Sequence, residues 1–149
     1  MVVKNNDLDV IGWREWIALP DFGVTQVKCK VDTGAKTSAL HTYFIEPFKK
    51  SEIKYVRFGL HPIQNNSDTE VICISKVHDQ REVTDSGGHR EMRYVIATPI
   101  KLGPHILQAE ITLTNRENML FRMLLGRDAI KNQFIVNPAR SYLIGKKKR

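Results

Sequence analysis

A short alternating segment that ends in a carboxylate and a glycine turn constrains the fold of this chain most. Between Val27 and Val31, apolar residues alternate with lysines, which is the period-2 pattern of a half-buried β-strand. Asp32-Thr33-Gly34 follows at once. Glycine tolerates the backbone conformations of a tight turn and lets a second chain or a ligand approach closely. The sequence therefore predicts an aspartate held at a strand tip, with an ordinary Asp turn as the alternative.

The rest of the chain predicts many short strands and one short helix, at residues 127–132. Apolar β-forming runs recur about every 8–12 residues between Gly, Pro and polar turns, which is typical of an all-β barrel or sandwich. A break is expected at Pro47 and the following lysines. The predicted strands are 10–19, 24–31, 39–45, 55–60, 71–74, 81–84, 90–96, 100–107, 110–114, 121–126, 134–136 and 141–144. We expect a single domain over residues 1–149, with frayed ends at 1–9 and 146–149.

Composition narrows the class of protein. The 149 residues are 42% hydrophobic, and no apolar run approaches the roughly 20 residues that span a bilayer. The N-terminal residues show no apolar segment of a signal peptide, so a cytoplasmic protein without a membrane segment is expected. Cys29 and Cys73 lie in apolar runs and predict buried, reduced thiols.

The net charge of +7 favours an anionic partner. Along the sequence, no basic stripe is interleaved with the aromatic residues that would stack on bases. Charge alone leaves both an acidic polypeptide and a nucleic acid open. Of the two, we expect the acidic polypeptide, and nucleic-acid binding remains the weaker alternative.

A second motif lies about 90 residues after the first. Leu124-Leu125-Gly126 precedes Arg127-Asp128 and the predicted helix. With the Asp-Thr-Gly turn and a glycine-tipped hairpin between them, this order resembles the retropepsins. The likeness covers residues 10–145. Within the retropepsin-like proteins, the chain resembles one narrower group. This group is a bacterial retropepsin-like aspartic peptidase family that is also labelled ATP-dependent zinc protease and is found alongside ATP-grasp glutamate ligases. The resemblance implies a retropepsin-like closed barrel, all-β with one short helix.

The chemistry of this class requires two carboxylates that share one proton across a water, and their pKa values split because like charges at that distance cannot both ionise. One Asp-Thr-Gly turn supplies half of such a site. Two copies of the chain related by a two-fold axis would supply Asp32 twice, so a homodimer is expected. Asp85-Ser86-Gly87 offers a second aspartate within the chain, but it follows Asp32 by only about 50 residues, and we interpret it as the tip of a hairpin.

The resemblance assigns roles to individual residues. It implies that Asp32 is the shared acid and base, that Thr33 bonds across the two-fold axis, and that Gly34 permits the close backbone approach. Gly87 and Gly88 would form the tip of a flap over the substrate. The expected supporting residues are His41 behind the turn, Leu124, Leu125 and Gly126 in the supporting strand, and Asp128 as a cap or anchor of the helix.

The predicted substrate is an acidic, glutamate-rich or poly-glutamate peptide, or a glutamylated protein. Lys36 and Thr37 stand where viral retropepsins carry acidic or apolar residues, and a cation there would attract an acidic side chain. Arg90 and Arg93, with Arg81, lie on or near the hairpin and either face the cleft or face solvent. The association with ATP-grasp glutamate ligases points to the same substrate and to a functional link with such a ligase.

No metal or other cofactor is expected. None of the five histidines has the i, i+4 spacing of a His-Glu-x-x-His site, and there is no Gly-rich phosphate loop. The alternatives that stay open are a non-catalytic module that binds acidic peptides in the same cleft and a zinc-dependent protease whose ligands converge in space.

Overall fold

The computed structural model describes residues 8–62, 69–84, 87–115 and 120–146. Within these ranges the chain forms twelve β-strands and one short α-helix. Their bounds are β1 Asp9–Gly12, β2 Arg14–Leu19, β3 Val24–Asp32, β4 Ser38–His41, β5 Phe44–Lys50, β6 Ile53–Leu60, β7 Val71–Lys76, β8 Asp79–Thr84, β9 Arg90–Leu102, β10 His105–Thr114, β11 Met123–Gly126, α1 Arg127–Ile130 and β12 Phe134–Asn137.

The main sheet closes on itself. Its strand order is β10-β4-β11-β3-β2-β9-β8, and β10 also pairs with β9, so six strands form a ring that β8 extends. The pairs β10–β4 and β11–β3 are parallel, and the other pairs in the ring are antiparallel. Closure removes free sheet edges, which are a liability in open sheets. The predicted closed all-β fold is confirmed.

Alternation along the strands fills the ring with a hydrophobic core. Val27, Cys29 and Val31 of β3 point inward and are buried, as their period-2 pattern predicts. Cys73 is also buried, and both cysteines are free thiols. Burial raises the pKa of each thiol to about 12, so neither is reactive near neutral pH.

A second sheet of three strands, β5-β6-β7, corrects one prediction. β5 does not break at Pro47 but continues through it to Lys50. Because β5 is an edge strand, a proline that donates no hydrogen bond is tolerated there. The chain then reverses at Ser51 and Glu52, whose φ angles of 52° and 68° are those of a two-residue hairpin turn.

Residues 141–144 form no strand, although their composition predicts one. Their backbone is instead held by Glu15 of β2, whose side chain is completely buried. The Glu15 carboxylate accepts hydrogen bonds from the N–H groups of Leu143, Ile144 and Gly145 at 2.7–3.2 Å, and from that of Gly12 at 2.6 Å. We call this arrangement the Glu15 clamp. The clamp acts together with backbone hydrogen bonds to β2, from the Tyr142 N–H to the Arg14 carbonyl and from the Trp16 N–H to the Gly145 carbonyl, both at 2.9 Å.

Smaller differences concern where elements begin and end. The predicted strand 10–19 is divided into β1 and β2 at Trp13, and β1 begins at Asp9, which we had assigned to a frayed end. The turn between β9 and β10 lies at Gly103, whose φ is 58°, rather than after residue 107. Helix α1 covers only Arg127–Ile130. Residues 1–7 and 147–149 lie outside the described residues. Within the described ranges, the helical segments are too short to traverse a bilayer as helices.

Candidate active site

Asp32 is the last residue of β3 and is half-buried at the start of the predicted turn. The N–H of Gly34 donates to Asp32 Oδ1 at 3.1 Å, and the N–H of Ala35 donates to the Asp32 carbonyl at 3.1 Å. A Cβ atom on Gly34 would lie 3.3 Å from the same Oδ1, a tight contact that a side chain could make only if the carboxylate shifted by a few tenths of an ångström. The turn therefore fixes the direction of the carboxylate from its own backbone.

The strand that contains the second motif lies directly beside this turn. β11 runs parallel to β3, with Gly126 in register with Asp32. The N–H of Gly126 donates to Ser38 Oγ at 3.0 Å. A Cβ atom on Gly126 would lie 2.7 Å from the Thr37 carbonyl carbon, a distance that a side chain does not tolerate against backbone. The glycine of Leu-Leu-Gly is thus what lets β11 pack against the turn.

Arg127 holds the far side of the turn, a role that our sequence analysis missed. Its guanidinium Nη1 donates to the carbonyls of Thr33 at 3.4 Å and Gly34 at 3.2 Å. Its own N–H donates to the Ala35 carbonyl at 2.9 Å, and the N–H of Asp128 donates to the Lys36 carbonyl at 3.1 Å. The only signal in the sequence was the position of a basic residue directly after Leu-Leu-Gly.

Asp128 does not cap the helix with its side chain. The N-cap of α1 is Gly126, without a side-chain cap hydrogen bond. The Asp128 carboxylate instead lies 3.4 Å from the ammonium of Lys131. Asp128 therefore holds the turn through its backbone N–H, while its side chain pairs within the helical segment.

Asp32 opens into a cleft of about 690 Å³. The floor of this cleft consists of the turn and of residues of β11, β4 and β10. The opposite side of the cleft is the hairpin of β8 and β9, which we call the flap hairpin. The described lining residues are Asp32, Gly34, Ala35, Lys36, Thr37, Ala39, His41, Arg81, Glu82, Val83, Thr84, Arg93, Thr112 and Leu124.

The predicted substrate residues divide into two groups. Lys36, Thr37 and Arg93 line the cleft together with Asp32. Gly87, Gly88 and Arg90 are exposed and are not among the described lining residues. Arg90 is 74% exposed and lies 3.7 Å from the Glu82 carboxylate. Asp85 and Ser86, the rest of the predicted hairpin tip, lie outside the described residues.

Arg81 is held at the base of the flap hairpin by carboxylates. It donates to both carboxylate oxygens of Glu110, at 2.8 and 3.3 Å, and to Asp79 at 2.7 Å. These hydrogen bonds raise the pKa of Arg81 and hold the pKa of the Glu110 carboxyl below its usual range. Arg81 thus joins β8 to β10, and its charge is largely satisfied within the chain.

His41 is buried at the end of the cleft away from the turn, and its N–H donates to the Arg122 carbonyl at 2.8 Å. The other described histidines are dispersed: His78 is 2.9 Å from Glu110, His105 bonds Asp9, His61 stacks on Tyr43, and His89 is exposed beside Gly88. Within the described ranges, no three His, Cys, Asp or Glu side chains converge to hold a metal ion. The open alternative of scattered zinc ligands therefore gains no support from the described residues.

Comparison with known proteins agrees with this geometry. A protein with the name "Probable alpha-L-glutamate ligase" from Shewanella halifaxensis (strain HAW-EB4) is 48% identical over 136 residues, which are 91% of this chain and 30% of that protein. One of the same name from Desulfotalea psychrophila (strain LSv54 / DSM 12343) is 40% identical over 136 residues, 91% of this chain and 29% of that protein. The chain thus spans about 30% of the length of the curated relatives it matches.

Among solved structures, the protein Lpg0085 of unknown function (DUF785) from Legionella pneumophila subsp. pneumophila str. Philadelphia 1 has a TM-score of 0.76 and 28% identity, over 91% of this chain and 98% of that one. A family model described as "Retropepsin-like aspartic endopeptidase RimB" matches residues 10–147. Because this model covers most of the chain, the chain belongs to the RimB-like family of retropepsin-like aspartic endopeptidases.

Proposed function

We propose that this chain is an aspartic peptidase that acts as a homodimer and hydrolyses peptide bonds in acidic, glutamate-rich segments. The observation that carries the proposal is the setting of Asp32. Its carboxylate is half-buried, is directed by the N–H of Gly34, and opens into a cleft large enough for a peptide. A binding surface alone has no need of a carboxylate oriented in this way.

The second carboxylate is supplied by a second copy. In the described part of the cleft the acidic side chains are Asp32 and Glu82, and Glu82 is exposed on the flap hairpin, where it pairs with Arg90. Thr33 and Gly34 are exposed, which leaves the turn accessible to its counterpart across a two-fold axis. Two Asp32 carboxylates would then share one proton and titrate as a pair.

In the reaction, one Asp32 carboxylate takes a proton from the attacking water, and the protonated one of the pair donates to the scissile carbonyl oxygen. The flap hairpin closes over the peptide and excludes water. Lys36 is exposed beside the turn, and among the described residues no carboxylate pairs with its ammonium. It is therefore available to the acidic side chains of a substrate.

The relatives support a link to glutamate ligases. In proteins that carry the name alpha-L-glutamate ligase, a part equivalent to this chain makes up about 30% of the length. A peptidase that removes glutamate-rich extensions would reverse the product of such a ligase. We therefore propose a glutamylated protein as the substrate and an ATP-grasp glutamate ligase as the functional partner.

The test compares Asp32→Asn with Asp21→Asn on a glutamate-rich peptide and on its glutamine counterpart. Asp21 is exposed in the turn after β2, so its variant controls for the change of charge. We expect Asp32→Asn to lose turnover by at least about a thousandfold, because the side-chain amide of asparagine can neither take the proton from the water nor give one to the scissile carbonyl. Specific activity of the wild type should fall on dilution. Full activity of a demonstrated monomer would contradict the dimeric site.

A non-catalytic binding module is the second candidate, and the relatives favour it, because a domain of this kind could present an acidic product to a ligase in the same protein. Such a module would bind the glutamate-rich peptide with equal affinity in wild type and Asp32→Asn, and neither form would cleave it. Cleavage by the wild type excludes this candidate.

A further inference from the structure

Arg122 carries a half-buried guanidinium just before β11, outside the contacts that hold the Asp32 turn. Its Nε and Nη1 atoms are buried from solvent, and among the described residues neither finds a hydrogen-bond acceptor. Desolvation lowers the pKa of this guanidinium, but arginine remains charged in proteins. A buried charge without a partner is expensive, whereas buried charges in proteins are ordinarily paired. Two shielded N–H donors of this guanidinium are therefore open to an anionic acceptor.

The strand register puts Arg122 beside the cleft. β11 and β4 pair antiparallel, with Leu124 opposite Ala39, and the N–H of His41 bonds the Arg122 carbonyl. Arg122 is thus the cross-strand neighbour of His41. Leu124, Ala39 and His41 line the cleft, and Arg122, which is not itself among the described lining residues, lies next to His41 at the end of this surface.

The line of neighbouring side chains formed by Arg122 and His41 continues across β10 to the flap hairpin. His41 is in register with Thr114 of β10. The Thr114 hydroxyl donates to Glu91 at 3.3 Å, and Glu91 accepts from Arg93 Nε at 2.8 Å. The Arg93 side chain is only 10% exposed and lines the cleft. We call Arg122, His41 and Arg93 the basic row.

The basic row stands away from Asp32 along the strand direction. Gly126 is in register with Asp32, and Arg122 precedes it by four residues, which is roughly 13 Å at the rise of a β-strand. This length is within reach of an extended peptide whose scissile bond lies over Asp32. The row therefore faces a side chain that is a few residues from the bond to be cleaved.

We propose that Arg122, with Arg93 across His41, forms an anion-binding subsite that takes a carboxylate of the acidic peptide substrate. The guanidinium fork suits a carboxylate bidentately, and a desolvated pair of this kind discriminates strongly against a neutral amide. The inference deepens the proposed function and rests on it. It names Arg122 as the residue through which the enzyme would require an acidic side chain in the substrate, a few residues from the scissile bond.

The test measures kcat/KM on a glutamate-rich peptide and on a series in which one glutamate at a time is replaced by glutamine. For the wild type, we expect glutamine at one position to reduce kcat/KM about ten- to a hundredfold, through KM. Arg122→Met should abolish this difference at that position alone. Arg140→Met, at an exposed arginine outside the described cleft lining, should leave the profile unchanged. An Arg122→Met enzyme with the wild-type profile overturns the proposal.

Binding separates this inference from the peptidase proposal. In an Asp32→Asn background, the acidic peptide should bind Arg122→Met at least tenfold more weakly, whether or not the wild type cleaves it. Equal affinities would overturn the subsite, and an Arg122-dependent affinity without cleavage by the wild type would overturn only the peptidase.

Stability distinguishes a ligand from an internal partner. We expect Arg122→Met to keep or raise the melting temperature, because an apolar side chain replaces an unpaired buried charge. A lower melting temperature would show that Arg122 is already stabilised within the chain and would overturn the proposal. If Arg122→Met does not fold, Arg122→Lys keeps the charge without the fork and should lose part of the discrimination.

Discussion

The two walls of the cleft are held by different kinds of interaction. On the floor, the Asp32 turn is fixed largely by backbone groups, namely the N–H groups of Gly34, Arg127 and Asp128 and the close approach of Gly126, with one side-chain contribution from the Arg127 guanidinium. On the flap hairpin, the ties are ion pairs of half-exposed side chains around Arg81. Backbone packing is insensitive to solvent conditions, whereas exposed ion pairs are weak and screened by salt. The cleft thus has a floor held largely by backbone contacts and a flap hairpin whose ion pairs are sensitive to salt.

The largest expected effect breaks the floor. Gly126→Ala introduces a Cβ atom at 2.7–2.9 Å from backbone atoms of Thr37 and Lys36, and backbone must shift to accept it. We expect a loss of about 3 kcal/mol in the free energy of unfolding, measured in urea, and loss of peptidase activity. Gly23→Ala is the control: its φ of 68° is strained for alanine, but no atom lies within 4 Å, so about 1 kcal/mol is expected. Equal losses in both variants would contradict the tight packing.

A smaller effect tests the flap hairpin. Arg81→Met removes the hydrogen bonds to Glu110 and Asp79, and because these groups are about 34–45% exposed, we expect a loss of about 1 kcal/mol or less. The difference from wild type should shrink in 1 M NaCl, where exposed pairs are screened. Arg90→Met, at the more exposed and longer pair with Glu82, should have no measurable effect. A salt-independent loss in Arg81→Met would mean that packing, and not charge, joins β8 to β10.

The smallest effect is a dependence of the flap hairpin on pH. The hydrogen bond from Arg81 lowers the pKa of Glu110 below its ordinary value of 4.5, so the folded state binds this proton less readily than the unfolded state. The stabilisation is therefore complete above about pH 4.5 and is lost as the pH falls through the lowered value, and we expect a few tenths of a kcal/mol. Hydrogen exchange of β8 amides, corrected for intrinsic rates, should show opening in acid. Arg81→Met should lose most of this dependence, because Arg81 is the largest cause of the lowered pKa and His78 is a smaller one.

The floor was largely predictable from sequence because its determinants are local. Alternation from Val27 to Val31 fixes β3, Asp-Thr-Gly fixes the turn, and a glycine after two leucines indicates a strand that packs closely. The interactions that escaped prediction join distant residues. Arg127 bonds carbonyls 93 and 94 positions away, and Arg81 bonds Glu110 on a third strand. No periodicity of either partner indicates such a contact.

The misassigned elements have the same cause. Residues 141–144 have the composition of a strand, but a carboxylate about 130 positions away accepts their N–H groups. Pro47 would end a central strand, and only the sheet order shows that β5 is at an edge. Local propensity describes the preference of a segment, whereas tertiary partners decide its state.

The Glu15 clamp has a consequence for assembly. It fastens residues 143–145 and Gly12 to the ring of their own copy, with the carboxylate out of contact with water. Each protomer therefore completes its own wall by itself, without borrowing a strand from a neighbour at this place. If the active site needs two such protomers, they associate after each has folded. The protein concentration at which the dimer forms is then independent of the stability of the folded monomer.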